Sequence, residues 1–567
     1  MTNPFTEEIL ERTAQATGLE PEALRGLLSV PPSEEMGDYA IPCFTLAKQL
    51  RRNPAQIAGE VASRLSGAAS DRIEGVEAAG GYVNFKLNRT AFIRHTLGDI
   101  DAMGDRYGSG AQGKGKTLAI DFGAPNLAKP FGIQHLRSTA IGNAIRRIHA
   151  FLGWKCVGIN YYGDYGANFG QLLAAYTLWA DPDKVRTNPV AELSNLYVRF
   201  NDEVKSRPEL AEESRARLVR LAADDEEMVS LWRYFVEEGR LEAERMYRIL
   251  EVEFDDYLGE SHFADRLDET IAFFSEKGLA EESEGALIVR VGEDIPPCML
   301  RTSAGTSTYH SRDLAALRYR WERYRFDKMV YVTDIRQQLH FRQVFGSLER
   351  AGAEWTSRCV HAPFGLLSFG GEAMGTRKGN ALLLEDVLER AVELAREIIS
   401  EKNPKLAARE EVARQVGIGA VVFADVSNRR TRDVSFSLEE VLNFDGETGP
   451  YLQYTHARFC SILRRFGGPP DGGDAARLGE AAEMRVARQL AEFPVQVAQA
   501  ADENEPSFIT GYLLDLAAVA NKMYNELQVL VPGDPGLAEA RVGLVDAVRG
   551  VLRTGLELVG MKAPEEM

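Results

Sequence analysis

The stretch from Thr117 to Leu172 constrains the fold of this chain more than any other. Thr117 to Phe122 is a short apolar run with β character, closed by Gly123 and Pro125. From His135 to Leu152 apolar residues recur at helical spacing, with Ile141, Ile145, Ile148 and Leu152 on one face. Gly153 then stops the helix, because a residue without a Cβ enters the left-handed region freely. Lys155 to Asn160 reads as a second strand and runs into a polar, Gly-rich loop. Strand, loop, helix and strand in that order predict a βαβ unit in a parallel sheet. Its first loop opens at the carboxyl end of the strands, where open α/β folds place their ligands.

That loop carries groups suited to an anion. Asp121 and Asn126 flank the turn, Lys129 adds a cation, and His135 stands at the start of the helix. Unpaired amides and the helix dipole favour a phosphate there. Gly, Pro and Asn also serve simply to turn many strand–helix junctions, so these residues alone leave both readings open.

Two longer strings decide between them. PNLAKPFGIQHLRST followed by GINYYGDYGANFG resembles the signature of arginyl-tRNA synthetases, class I enzymes with a Rossmann-type catalytic domain. The frame matches without gaps, but the family's HIGH motif reads Gly132-Ile133-Gln134-His135 here. The second nucleotide element of the family, KMSKS, is matched by Ala373-Met374-Gly375-Thr376-Arg377, with both lysines replaced. Arg377 and Lys378 follow in a Gly-flanked segment, and Lys129 precedes the HIGH position. The resemblance implies that Gly132, Gln134, His135, Met374, Thr376 and Arg377 hold ATP. It also implies that His135, Lys129, Arg377 and Lys378 stabilise charge on the triphosphate as pyrophosphate leaves.

An enzyme that activates arginine needs a carboxylate for the guanidinium, whose planar fork of donors pairs with it bidentately. GTSTYHSRDLAALRYR offers Tyr309 and Asp313, four apart and on one face of a helix. Taken without any resemblance, a weak surface pair between Asp313 and Arg312 is the better account of these residues. The resemblance places Tyr309 and Asp313 in the arginine side-chain pocket and Gln337, from DIRQQLH, beside it. Asp121 and Asn126 match positions that hold the polar groups of the amino acid, and Tyr161 and Asp164 complete the pocket.

At 567 residues the chain is too long for one core and divides into about three or four domains. We expect an α+β domain over 1–110, a Rossmann-type catalytic domain over 111–385, and an α-helical domain over 386–567. Within the second, about 189–256 reads as a charged helical insertion. Thr96 to Thr117 is Gly-rich and reads as a linker. ALIVRV (Ala286 to Val291) and MVYVTD (Met329 to Asp334) are expected to complete the central sheet. In the first domain VEAAGGYVNFKL predicts a hairpin around Gly80-Gly81. The pattern GDYA…LAK…NP…IA…GYVNF resembles the family's N-terminal domain, which puts Tyr82 and Asn84 at the tRNA D-loop. In the last domain GETGPYLQYTHARFCSILRRF resembles the family's anticodon helix, with Tyr451, Tyr454 and Arg458 on one face. Such a face suits stacking on unpaired bases, and equally a core edge with a cation at its rim.

The net charge of −18, from 66 basic and 84 acidic residues, argues mildly against a nucleic-acid partner. Arg429, Arg430, Arg432, Arg464 and Arg465 supply local positive charge all the same. Five scattered cysteines form no zinc pattern and fit a reducing compartment. No apolar run approaches the ~18–20 residues of a membrane span, and a charged N-terminus lacks a signal-peptide core. Together these predict a cytoplasmic protein without a tightly bound metal. The resemblance implies a monomer that joins L-arginine to its tRNA through arginyl-adenylate. Its substrates would be arginine, Mg·ATP and tRNA(Arg), and activation would depend on the tRNA. The altered HIGH and KMSKS elements raise a second reading, a synthetase-like paralogue that binds tRNA or arginine without charging. A Rossmann-type dehydrogenase is excluded, because no GxGxxG follows the first strand.

Overall fold

Strand Thr117–Asp121 (β1) lies at the centre of a five-stranded parallel sheet. Its companions are Lys155–Tyr162 (β2), Asp256–Gly259 (β3), Lys328–Tyr331 (β4) and Cys359–His361 (β5). The spatial order is 5-4-1-2-3, with every neighbouring pair parallel. This is the doubly wound Rossmann order, and it reverses direction between β1 and β4. The computed structural model describes residues 3–66, 70–369, 372–373, 383–470 and 473–567. They pack as two units, one of which, Ser109–Ala457 with Gln496–Leu513 and Arg553–Met567, contains this sheet.

β1 is buried on both faces, which is why it reads as a continuous apolar run. Ala119 joins Ile159, Leu314, Leu317, Met329, Tyr331, Phe341 and Val344 in one core. That core lies between the sheet and two helices, Tyr309–Tyr324 and Gln338–Arg350. Side chains alternate along a strand, so Leu118 and Ile120 take the opposite face, toward the crossover helix Gln134–Phe151. This helix ends as the sequence requires, with Gly153 at φ +85°.

One strand expectation needs correction. Ala286–Val289 does not complete the parallel sheet; it is the middle strand of a separate antiparallel sheet with Ala280–Ser283 and Cys298–Arg301. The places it was expected to fill belong to β3 and β5, which are only four and three residues long and too short to display a period. Residues after Tyr162 form helices Ala167–Trp179, Pro182–Thr187, Pro189–Glu203, Glu209–Ala222 and Glu226–Ile249 before β3.

The other unit is Met1–Gly108 with Arg458–Val495 and Leu514–Leu552. Helices Pro4–Thr17 and Pro54–Leu65 begin at Asn-Pro steps, with Asn3 and Asn53 accepting from the amides of Phe5 and Ala55. They accompany a three-stranded antiparallel sheet of Tyr39–Pro42, Tyr82–Leu87 and Ile73–Ala79, and the hairpin turns at Gly80, φ +59°. Buried Asp38 accepts from the Leu87 amide at 2.6 Å and pairs with Arg488. The expected linker from Thr96 is helical as far as Met103. Phe92, Thr96 and Ile100 are buried at a spacing of four, and this periodicity outweighs the glycines that follow.

From Leu384 onward the chain is almost wholly helical: Leu384–Lys402, Arg409–Val426, Gly449–Phe466, Ala481–Glu503, Ser507–Glu526 and Pro535–Leu558. The architecture is thus a Rossmann-type catalytic domain with an N-terminal α+β domain and a C-terminal helical bundle. Among the described residues no helix is long and apolar enough to cross a membrane.

Candidate active site

The loop after β1 is folded by its own backbone. Gly123 N donates to Ser138 Oγ at 2.9 Å, and that hydroxyl donates to Val332 O at 2.7 Å. Leu127 N and Gly163 O, and Gly163 N and Pro125 O, each bond at 2.9 Å, so the loops after β1 and β2 run side by side. Asn126 sits within this pairing and accepts from the Ala128 amide at 3.2 Å.

Gln134 begins the helix without a side-chain cap, and its Oε1 is buried with no hydrogen-bond partner. The carboxamide lies back over Gly132: a Cβ on Gly132 would stand 2.4 Å from Gln134 Oε1 and 2.7 Å from Nε2. His135 packs on Phe131, ring centroids 4.8 Å apart, and its buried Nδ1 is unpartnered. Burial, then the nearby Lys129 charge, pushes its pKa down to about 4, so the imidazole is neutral at neutral pH. Gly132 also pairs with Leu383, and Leu384 N donates to Phe131 O at 3.1 Å. Met374, Thr376, Arg377 and Lys378 lie outside the described residues. The segment that carries them starts from strand Glu372–Ala373 and ends at this Gly132–Leu383 pairing.

Arg137, in the HLRST string, anchors the helix from below. Its Nε donates to Asp425 Oδ1 at 2.6 Å, and its Nη1 to Gly365 O and Arg432 O at 2.8 and 2.9 Å. Both members of this ion pair are fully buried.

Of the arginine-pocket candidates, Asp121, Tyr161 and Asp313 come together around Arg320. Asp121 is 3% exposed, in register with Tyr331 of β4 and Ile159 of β2. Burial, with Asp313 close enough to add to it, pushes its pKa up to about 6 against the opposing charge of Arg320. Tyr161 is held well above the usual phenol range by burial first and then by Asp313 and Glu260. Tyr309 and Asp313 do share one helix, with Tyr309 at its first residue and 66% exposed. Asp313 is half-buried and bonds to His340 Nε2 at 2.5 Å. Arg312 turns instead to Glu260 at 2.8 Å, which disposes of the Asp313–Arg312 pair. Gln337 is exposed at the start of the Gln338–Arg350 helix. Asp164 accepts from the amide and hydroxyl of Ser261, at 2.8 and 2.5 Å. Reading the sequence missed Arg320, His340, Glu260 and Ser261. Arg320 and His340 end the two strings that supplied Asp313 and Gln337, whereas Glu260 and Ser261 had no local signal.

The distal candidates are separate from this cluster in sequence and in environment. Tyr82 is 43% exposed and meets the exposed Phe44 edge to face at 5.4 Å, whereas Asn84, two residues along the same strand, is buried. Tyr451, Tyr454 and Arg458 are all half-buried on helix Gly449–Phe466. Lys402 lies 5.7 Å from the Tyr454 ring centroid, and Arg458 donates to Asn521 at 3.0 Å.

Three family models match the chain in succession. Residues 5–87 match the arginyl-tRNA synthetase N-terminal domain, 99–438 the class I (R) tRNA synthetase catalytic domain, and 452–567 the DALR anticodon-binding domain. An arginine–tRNA ligase of Alkaliphilus metalliredigens is 42% identical over 98% of each chain. Arginine–tRNA ligase 2 of Bacillus anthracis is 44% identical over all of this chain and 98% of its own. Among solved structures, the arginyl-tRNA synthetase of Thermus thermophilus aligns over the whole of both chains, with TM-score 0.83 and 28% identity.

Proposed function

Because this chain belongs to the arginyl-tRNA synthetase family, we propose that it joins L-arginine to tRNA with the pocket at Asp121 and Asp313 as its amino-acid site. The reaction has two steps. The arginine carboxylate attacks the α-phosphate of Mg·ATP, giving arginyl-adenylate and pyrophosphate. A ribose hydroxyl of the terminal tRNA adenosine then attacks the acyl carbon and releases AMP. No protein nucleophile is needed, so the enzyme acts by positioning and by stabilising charge.

Asp313 receives the guanidinium, Tyr309 flanks it, and Gln337 lies at the pocket's edge. One observation carries this assignment: Asp313 is held by His340 rather than spent on Arg312, and its charge is felt at Asp121 and Tyr161. Asp121 and Asn126 take the amino acid's polar groups, with Tyr161 lining the floor. Asp164 holds the second loop in place through Ser261. ATP lies along Gly132, Gln134 and the neutral His135, at the amino end of the helix. Lys129, Arg377 and Lys378, with Met374 and Thr376, bind the triphosphate. Exposed Tyr82 meets the tRNA D-loop, and Tyr451, Tyr454 and Arg458 the anticodon. The chain works as a cytoplasmic monomer, and tRNA is required for activation.

The test is arginine-dependent ATP–pyrophosphate exchange with and without tRNA(Arg), alongside charging of that tRNA. Exchange that needs tRNA, together with arginyl-tRNA product, is expected. Folded protein that neither exchanges nor charges would overturn the reading in favour of a non-charging paralogue.

A further inference from the structure

Helix Tyr309–Tyr324 buries an arginine that neither the sequence patterns nor the reaction accounts for. Arg320 is 1% exposed, and its Nη2 lies 2.8 Å from Asp121 Oδ2. Its guanidinium carbon is 5.0 Å from the Tyr161 ring centroid and 5.1 Å from that of Tyr331, so two aromatic rings and one carboxylate oxygen fix it. The other oxygen, Asp121 Oδ1, is buried without a hydrogen-bond partner, and so is the Tyr161 hydroxyl. A buried acceptor left unpaired costs about 1–3 kcal/mol. Arg320 Nε and Nη2 are likewise buried without a hydrogen-bond partner, and four such groups together, at the switch point of the sheet, mark a place prepared for a polar ligand group.

The chemistry of that group follows from its surroundings. A carboxylate oxygen accepts only, and a phenol oxygen accepts as well as donates. Asp313 and Glu260 also bear on the spot and, with Asp121 itself, outnumber the single charge of Arg320, so a cation is favoured. A small cation with several donors fits. We propose that Arg320 is a positioning residue for the amino-acid substrate: by occupying Oδ2 of Asp121, it turns Oδ1 toward the α-ammonium group of arginine. This rests on the reading of Asp121 as part of the amino-acid site.

The charged groups facing Asp121 are Arg320 and Asp313, with the phenols of Tyr161 and Tyr331 beside it. Of these only Arg320 favours the carboxylate form. Burial has already brought the Asp121 pKa up to about 6. A nearby opposite charge is worth about 1–3 pKa units, so removing it would carry Asp121 to the neighbourhood of 8. At pH 7 the ionised fraction then falls from about nine-tenths to about one-tenth. The sign follows directly: arginine binding weakens as pH falls through about 6 in the native protein, and through about 8 once Arg320 is gone.

Calorimetric binding of arginine between pH 5.5 and 8.5, with the KM values for arginine and ATP from exchange, tests the proposal. Arg320→Met is expected to weaken arginine binding about tenfold at pH 7, with recovery toward pH 8.5 and an unchanged ATP KM. Binding of 5-guanidinopentanoate, which lacks the α-ammonium, should be indifferent to the substitution. Arg320→Lys keeps the charge and should restore most of the affinity. It carries the test if the methionine variant does not fold, since its pH break must then stay near that of the native chain. Equal losses for arginine and the des-amino analogue, or a loss that pH does not restore, would overturn the proposal. A chain that binds arginine with this pH dependence but charges no tRNA would refute only the proposed function.

Discussion

Replacing Gly132 by His writes the usual first histidine back into the HIGH position, and the structure gives a reason for it to fail alone. A Cβ at Gly132 would stand 2.4 Å from Oε1, 2.7 Å from Nε2 and 2.9 Å from Cδ of Gln134. Ordinary contact begins at about 3.5 Å, so the whole carboxamide must leave its place. The backbone adds nothing to this cost, because Gly132 is absent from the left-handed region. Displacing Gln134 into a poorer rotamer costs about 0.5–1.5 kcal/mol. Neighbours that share space in this way couple by about 0.5–3 kcal/mol. Native chain, Gly132→His, Gln134→Gly and the double variant make a closed cycle, read as kcat/KM for ATP in tRNA-supported exchange. Gln134→Gly should raise kcat/KM about tenfold more in the Gly132→His background than in the native chain, equivalent to about 1.4 kcal/mol of coupling. Effects that add to within about 0.5 kcal/mol would refute the reasoning, since Gln134 would then not occupy the space above Gly132.

Arg137→Met should lower stability by about 3–5 kcal/mol, because it strands the buried Asp425 carboxylate; urea unfolding measures this, and a loss below 1 kcal/mol contradicts it. At Gly259 a Cβ would come within 2.0 Å of Asp164 Oδ2. Gly259→Ala should therefore drive Asp164 from Ser261, at a cost of about 1–3 kcal/mol in thermal unfolding. Asp313→Asn should raise the arginine KM about ten- to hundredfold, the worth of one charge-assisted hydrogen bond, with the ATP KM unmoved. Equal changes in both constants would place Asp313 outside the pocket.

What the sequence determined is local. The β1–helix–β2 unit, its stop at Gly153 and the Asn-Pro helix starts are written in short-range periodicity and turn chemistry, and the structure reproduces them. The same local rules place Tyr309 and Asp313 on one helix. The family strings extended this to the order of the domains, since a catalytic model and two flanking models match where those strings lie.

What only the tertiary structure decided is which charge meets which. Strand order brings β1 beside β4 and so sets Arg320 against Asp121, a pairing that no spacing announces. Asp313 is claimed by His340 from the next helix, while its sequence neighbour Arg312 reaches Glu260. β3 and β5 are too short to carry a period and are strands only because the sheet offers them partners. Local patterns follow from steric and hydrogen-bond rules within a few residues. A buried charge instead takes whatever partner the packed sheet delivers, because leaving it alone in the core costs more than any local preference can offset.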